Sequence, residues 1–439
     1  MINKPGNKSK PVLILTASLF VLLFVRYLYI LEFKKVIPLF NEHDHFVLDF
    51  EYFFEMGKQS ISCPGKLYCD PDNEGTPVLL LKRNVFHPYP PPAALLFRIF
   101  STLPFAWSYA VWSFLIYAAI AAAFLLYVRC LEGECCIARS DLWFPFILCL
   151  AAAPTYLDSS FGNVNSVVLL LCVVFTWLLK REKYFMAGMI LSASFWLKLY
   201  PVILILTFYK ARKKVMLAGS FLMCTLTIFI FSLLFIPVES FKEFFTDITP
   251  AYSAQTITHV FNQSLTSFLL RLARGSTGVF FSYDYTLIPF EIRSISYLLI
   301  LSALIVFCWV SWRHNASSTC ISAGLCNLIP LITPIGWGYT FVMLYPSLIY
   351  LYSRGIMKTK VSALLYLFCW CALAVPSYHN VEKFNLPCLF KLIYYSRYTI
   401  SSLLLYCLLI IQISSKRIHN INYSFENGNT SNCSSGQLP

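Results

Sequence analysis

The sequence predicts an all-α protein that crosses a membrane many times, and three observations carry that prediction. The 439 residues are 58% hydrophobic and only 13% charged, with a mean hydropathy of +0.65. Apolar runs recur at 11–31, 107–128, 215–237, 294–311 and 396–413, each near the ~20 residues that cross a bilayer as a helix. Basic residues gather at the ends of such runs: Lys4, Lys8 and Lys10; Lys180, Arg181 and Lys183; Lys210, Arg212, Lys213 and Lys214; Arg354, Lys358 and Lys360; Lys416 and Arg417. Lipid offers the backbone no hydrogen-bond partner, so runs of this kind satisfy their own peptide groups as helices. Short basic flanks stay cytoplasmic. The net charge of +13 therefore reports topology, with membrane lipids as the partner and no nucleic acid.

The first element is span 11–31, read as retained with its N-terminus inside. Its 21 residues exceed a signal-peptide core, and no A-x-A site follows. Loop 32–88 comes next. It carries nine acids (Glu32, Glu42, Asp44, Asp49, Glu51, Glu55, Asp70, Asp72, Glu74) against six bases, which puts it outside. Within it, "DFEYFFEMGKQ" spaces Phe50, Phe53 and Phe54 as one apolar helical face. That spacing predicts a helix lying along the membrane surface.

Apolar stretches follow at 89–104, 107–128, 143–157 and 164–179. The first opens on "PYPPP", where prolines fit a helix start. Stretch 184–209 is long for one span and short for two, so a pair of half-length helices meeting at "KLYP" (198–201) is the alternative to one span. Span 215–237 leads to a second long polar region, 238–292. Spans near 294–312, 319–335, 337–352, 361–376 and 396–413 close a transmembrane domain of 1–413. The tail 414–439, rich in Asn and Ser, reads as disordered. The count is 11–13 spans, with parity left open: if 89–104 crosses, "RCLEGECCIARSD" (129–141) lies outside.

Sixteen cysteines sit mostly in apolar runs, where thiols act as small hydrophobes. Cys63 and Cys69 could pair if their compartment oxidises. No cluster with metal-ligand spacing is present, and no cofactor is expected.

Six places could carry chemistry. A carboxylate at Asp49, partly desolvated among aromatics, has the makings of a general base; a solvated loop acid is the plainer reading. "VFHPYPPP" joins His87 and Tyr89 to a rigid turn. "FGNVN" offers Asn163 and Asn165 at a break between apolar segments. Lys198 lies inside an apolar run, where an ammonium defaults to a functional role, phosphate being its natural partner and snorkelling the rival. "FNQSLTSFLLRL" brings Asn262, Gln263 and Arg271. "TPIGWGYT" breaks a run around Trp337, and non-helical backbone at depth lines cavities or is buried in protein.

Taken in order, these stretches resemble glycosyltransferase family 87, bacterial polyprenol-phosphate-mannose-dependent mannosyltransferases of the GT-C fold. The motifs are Asp49, Tyr52, Gly57 and Leu67-Tyr68; Tyr89-Pro90-Pro91 followed by Leu103-Pro104; Gly162-Asn163-Val164-Asn165; Ala187-Gly188 with Leu197-Lys198-Leu199-Tyr200-Pro201; Asn262–Leu265; and Arg271-Leu272. Each is weak alone, and their order over residues 11–352 is the specific signal. The sequence departs from the family twice. Asn163 stands where relatives carry Gln, and Trp337 is followed by Gly338-Tyr339-Thr340 with no His.

The resemblance implies an inverting hexosyltransferase in the bacterial cytoplasmic membrane, its site on the external face. Asp49 would be the base, and a polyprenyl-phosphate sugar, mannose by analogy, the donor. A glycolipid or glycan would be the acceptor. Tyr52, His87, Tyr89, Asn163, Asn165, Lys198, Asn262, Gln263, Arg271 and Trp337 would bind substrate. The rivals are a transporter or flippase of lipid-linked sugars, an oligosaccharide ligase or polymerase, and a catalytically inactive relative.

Overall fold

The computed structural model describes residues 48–68, 89–137, 139–257, 259–274, 285–374 and 387–430. The first span, His87, Cys69 and hence the Cys63–Cys69 pairing lie outside the described residues. Nearly everything described is helical. Helices α1 (Leu48–Ser62), α2 (Pro91–Phe100) and α3 (Phe105–Cys130) are followed by α4 (Trp143–Ala151) and α5 (Ala153–Phe161). That pair bends by 46° where Pro154 enters at the start of α5, as a residue without an amide hydrogen requires. Then come α6 (Asn165–Lys180), α7 (Tyr184–Leu197), a 3-10 helix (Tyr200–Lys210) and α8 (Lys214–Ser232).

The second polar region holds the short helices α9 (Val238–Glu243) and α10 (Thr249–Ala254), and α11 (Leu265–Arg274). It also holds a two-stranded antiparallel ribbon of β1 (Gln255–Ile257) and β2 (Tyr285–Leu287), with Thr256 opposite Thr286. Helices α12 (Phe290–Arg313), α13 (Ser318–Ile332), α14 (Tyr345–Ser353), α15 (Lys360–Ala374), α16 (Cys388–Tyr395) and α17 (Arg397–Thr430) complete the chain. A 3-10 helix, Gly338–Leu344, leads into α14.

Among the described residues, α3, α8, α12 and the Arg397–Ser415 part of α17 are each long and apolar enough to cross a membrane, and bent α4–α5 makes a fifth crossing if taken as one span. Helices α8 and α12 turn Leu222, Leu226, Ile230, Leu298, Leu301 and Ile305 outward, the face a bilayer covers. Helices α13 and α14 are buried almost throughout.

One expectation changes, and two alternatives left open by the sequence narrow. Phe50, Phe53 and Phe54 do not anchor a surface helix in lipid: all three are buried in protein. Phe53 stacks on Phe97 at 4.3 Å, and Phe50 packs against Phe105 and Tyr109. Stretch 89–104 forms a helix shorter than the ~20 residues that cross a bilayer. Its ten-residue helix is ~15 Å long and lies against α1, where a Cβ on Gly57 would meet Phe97 O at 2.5 Å. Stretch 184–209 is two arms, α7 and the 3-10 helix, meeting at Lys198–Leu199.

With α2 this short, segment 130–137 falls at the end of the molecule that carries the bases. There Lys180 Nζ reaches the carbonyls of Cys130 and Glu132 at 2.5 and 2.8 Å and Glu134 Oε1 at 3.3 Å. Arg354 donates to Glu134 O, Ser317 and Thr319 donate to the Glu134 carboxylate, and Lys210 donates to Asn315. The opposite end gathers α1, the α5–α6 turn and the α7 break.

Candidate active site

Helix α5 ends at Gly162, whose φ of +64° is left-handed. A side chain here would also collide with the molecule, since a Cβ would sit 2.5 Å from Phe50 Cβ. The turn is fixed by Asn163 N donating to Asp158 O at 2.9 Å and by Trp112 Nε1 donating to Gly162 O at 2.8 Å. It delivers Asn163 and Asn165, both fully buried, to the foot of α1.

Asn163 is the hub. Its Nδ2 donates to Asp49 Oδ2 at 2.9 Å and to the Tyr89 hydroxyl at 3.0 Å. Its Oδ1 accepts from Lys198 Nζ at 3.0 Å, from Val164 N at 2.8 Å and from Asn165 Nδ2 at 2.7 Å. Asn165 Oδ1 in turn accepts from Lys198 Nζ at 2.9 Å and from Tyr200 Oη at 2.5 Å. Lys198 stands at the break after α7 with extended backbone, so its side chain leaves the helix and enters this cluster. Rings of Tyr89, Tyr200 and Tyr339 lie 5.1, 5.5 and 5.9 Å from Nζ, within cation–π range.

Burial raises the Asp49 carboxyl above its ordinary value; hydrogen bonds from Asn163 and Tyr339 and the charge of Lys198 oppose that rise. Tyr52, one turn along α1, is half-buried, and burial together with Asp49 and Glu51 pushes its hydroxyl up. A carboxylate made more basic, beside a cation and several hydroxyls, can take a proton from an incoming hydroxyl. The cation can hold an anionic leaving group.

Asn262, Gln263 and Arg271 form a separate, protein-internal cluster. Asn262 Nδ2 donates to Thr256 Oγ1 at 3.0 Å and Ile257 O at 2.8 Å, while its Oδ1 accepts from Gly336 N at 2.9 Å. Gln263 Nε2 donates to Val260 O and Tyr395 O. Arg271 Nη1 donates to Asn262 O at 2.8 Å and Nε to Ser396 Oγ at 3.2 Å. These bonds tie the 256–271 segment to Gly336 and to the start of α17. Burial and Arg271 hold His259 beside them down at about 4. Trp337, half-buried, pairs its backbone with Asn262 and lies 6.3 Å, ring to ring, from Tyr339. Gly338 N accordingly donates to Phe261 O at 3.0 Å.

Sequence reasoning brought Asp49, Tyr89, Asn163, Asn165 and Lys198 forward, and the fold joins all five. It missed Asp158, Tyr200 and Tyr339. Tyr339 lies two positions after Trp337, and it donates to Asp49. Asp158 was legible by the rule that selects Lys198, an ionisable residue inside an apolar stretch. Among the described residues, no three His, Cys, Asp or Glu side chains converge as a metal site.

A model of glycosyltransferase family 87 matches residues 86–334, more than half of the 439-residue chain. Among curated proteins, a Mycobacterium tuberculosis protein is similar, named polyprenol-phosphate-mannose-dependent alpha-(1-2)-phosphatidylinositol pentamannoside mannosyltransferase. It is 23% identical over 346 residues, covering 78% of this chain and 74% of the relative. No solved structure matches the chain.

Proposed function

The chain belongs to glycosyltransferase family 87 and is a membrane glycosyltransferase, and from that premise we propose that it moves mannose from a polyprenyl-phosphate sugar to a glycolipid or glycan acceptor. Transfer occurs on the external face with inversion. The acceptor oxygen attacks the anomeric carbon and forms the new glycosidic bond. Asp49 takes the hydroxyl proton. The bond from the anomeric carbon to the phosphate oxygen breaks, and polyprenyl phosphate leaves with the electron pair.

One observation carries this reading: a single amide, Asn163, joins Asp49 at 2.9 Å to Lys198 at 3.0 Å. The base and the cation are thereby held within one side chain of each other, the separation a displacement at one carbon needs. Charge also balances through the step. The phosphate becomes more negative as the bond breaks, and Asp49 becomes neutral at the same moment. Lys198 keeps one ammonium hydrogen without a partner among the described residues, since a lysine has three donors and two are used. The donor named for the mycobacterial relative supports the choice of sugar carrier. The external site is supported by the bases at the opposite end, the cytoplasmic side by the positive-inside rule.

The test is purified protein in lipid given polyprenol-phosphate-mannose and a panel of membrane glycolipids, with products found by mass spectrometry and their anomeric configuration read by NMR. A hexose added to an acceptor, with its anomeric configuration opposite to the donor's, is expected. Donor movement across the bilayer without product would support a flippase instead.

A further inference from the structure

Asp158 is a fully buried carboxylate with no part in the reaction above. Each of its oxygens is engaged. Oδ1 accepts from Asn165 Nδ2 at 3.1 Å; Oδ2 accepts from Ser166 N at 2.8 Å and from Ser166 Oγ. Asp158 and Asp49 are also the two carboxylates whose fields reach Lys198.

We infer that Asp158 is a positioning residue, which acts through Asn165 to aim the Lys198 ammonium at the phosphate of a polyprenyl-phosphate ligand. The inference rests on the reading of this site as a donor site. A side-chain amide has an accepting end and a donating end. In both asparagines the donating end is taken by an acid: Asp49 holds Asn163 Nδ2, and Asp158 holds Asn165 Nδ2. Neither amide can then turn over, and both carbonyl oxygens face Nζ, at 3.0 and 2.9 Å. The ammonium is pinned by two fixed acceptors, inside a ring of three tyrosines, with one donor left for a ligand oxygen.

Asp158 also caps α6 through Ser166 N, and the two roles separate by mutation. Its charge is largely spent on three hydrogen bonds at the start of a helix, where the macrodipole favours it. Lys198 feels Asp158 both as a nearby charge and as a constraint on Asn165. Asp158→Asn keeps a good capping residue but offers Asn165 a donor where an acceptor stood. Asn165 then loses its acid, and only its 2.7 Å bond to Asn163 Oδ1 is left to hold the donating end of the amide in place.

The experiment measures polyprenyl phosphate binding to the full chain in lipid, alongside thermal unfolding without ligand. Asp158→Asn is expected to weaken binding about tenfold, the loss of one charge-assisted contact, with unfolding little changed. Asn165→Ala, which leaves the Asp158–Ser166 contact intact and removes one acceptor of Lys198 directly, is expected to weaken binding at least as much and decides the matter if Asp158→Asn does not fold. Wild-type affinity in Asp158→Asn or Asn165→Ala overturns the positioning role. A wild-type protein that binds no polyprenyl phosphate would overturn the donor-site reading itself, a distinct result.

Discussion

Asn163 Nδ2 lies 2.9 Å from Asp49 Oδ2, and that contact decides how the carboxylate is presented. The same amide reaches Lys198 through its other end, so its removal uncouples base from cation. Asn163→Ala is expected to reduce turnover roughly 10- to 100-fold, the range of one or two hydrogen bonds to charged groups. Normal turnover in a folded Asn163→Ala protein would show that the bridge is only structural.

The pH dependence follows from the environment of Asp49. Burial raises its carboxyl, and only the ionised form is a base. Activity is therefore lost as pH falls through that raised value, above the usual ~3.9. Asn163 stabilises the ionised form, so Asn163→Ala should move the acid limb to higher pH. A rate profile in which that limb stays put, or moves to lower pH, would contradict the assignment of the limb to Asp49.

Lys198→Met keeps most of the stem and removes the charge. Loss of an electrostatic contact to a leaving oxyanion costs on the order of 10²–10³ in rate, and a drop of that size is expected. Lys198→Arg should retain part of the activity, because the charge stays while the geometry changes. Equal donor titrations for Lys198→Met and wild type would remove this lysine from the site.

Gly162→Ala tests the turn that delivers Asn163. The left-handed backbone costs about 1–2 kcal/mol with a side chain present. Overlap with Phe50 adds ~1–3 kcal/mol of overpacking. A clear fall in melting temperature is expected. An unchanged melting temperature would mean that Phe50 and α1 shift freely, and that Asp49 is not held by this packing.

Topology can be read with native thiols. Cys63 follows α1, and Cys135 and Cys136 lie at the basic end, all three exposed. In single-cysteine variants, an impermeant maleimide added outside should label Cys63 and spare Cys135 and Cys136 until the membrane is opened. The reverse pattern would invert the orientation argued from charge.

Much of this was readable in the residues. Spanning runs follow from hydropathy, and the α7 break follows from a run too long for one helix with Pro201 near its middle. The inward face of α1 was not readable. A Phe50–Phe53–Phe54 stripe looks the same whether lipid or α2 and α3 will cover it. Lys198 announces itself as a charge in an apolar run and Asp49 only through the family resemblance, and they lie 149 positions apart in the chain; the turn at Gly162, between α5 and α6, brings the Asn163 that joins them. The roles of Asn262, Gln263 and Arg271 were hidden for the opposite reason. Amides and a guanidinium at the foot of an outer loop suggest a ligand, and here they also bond to carbonyls and hydroxyls of the protein.

The central claim is that Asp49 is the base, and turnover of Asp49→Asn beside Glu51→Gln tests it most directly. Both proteins are assayed in lipid with polyprenol-phosphate-mannose and the acceptor identified for wild type. Loss of a general base costs about 10²–10⁴ in rate, so Asp49→Asn should fall at least a hundredfold while Glu51→Gln, two residues away on the same helix, stays near wild type. Near-normal turnover of Asp49→Asn together with an inactive Glu51→Gln would contradict the account.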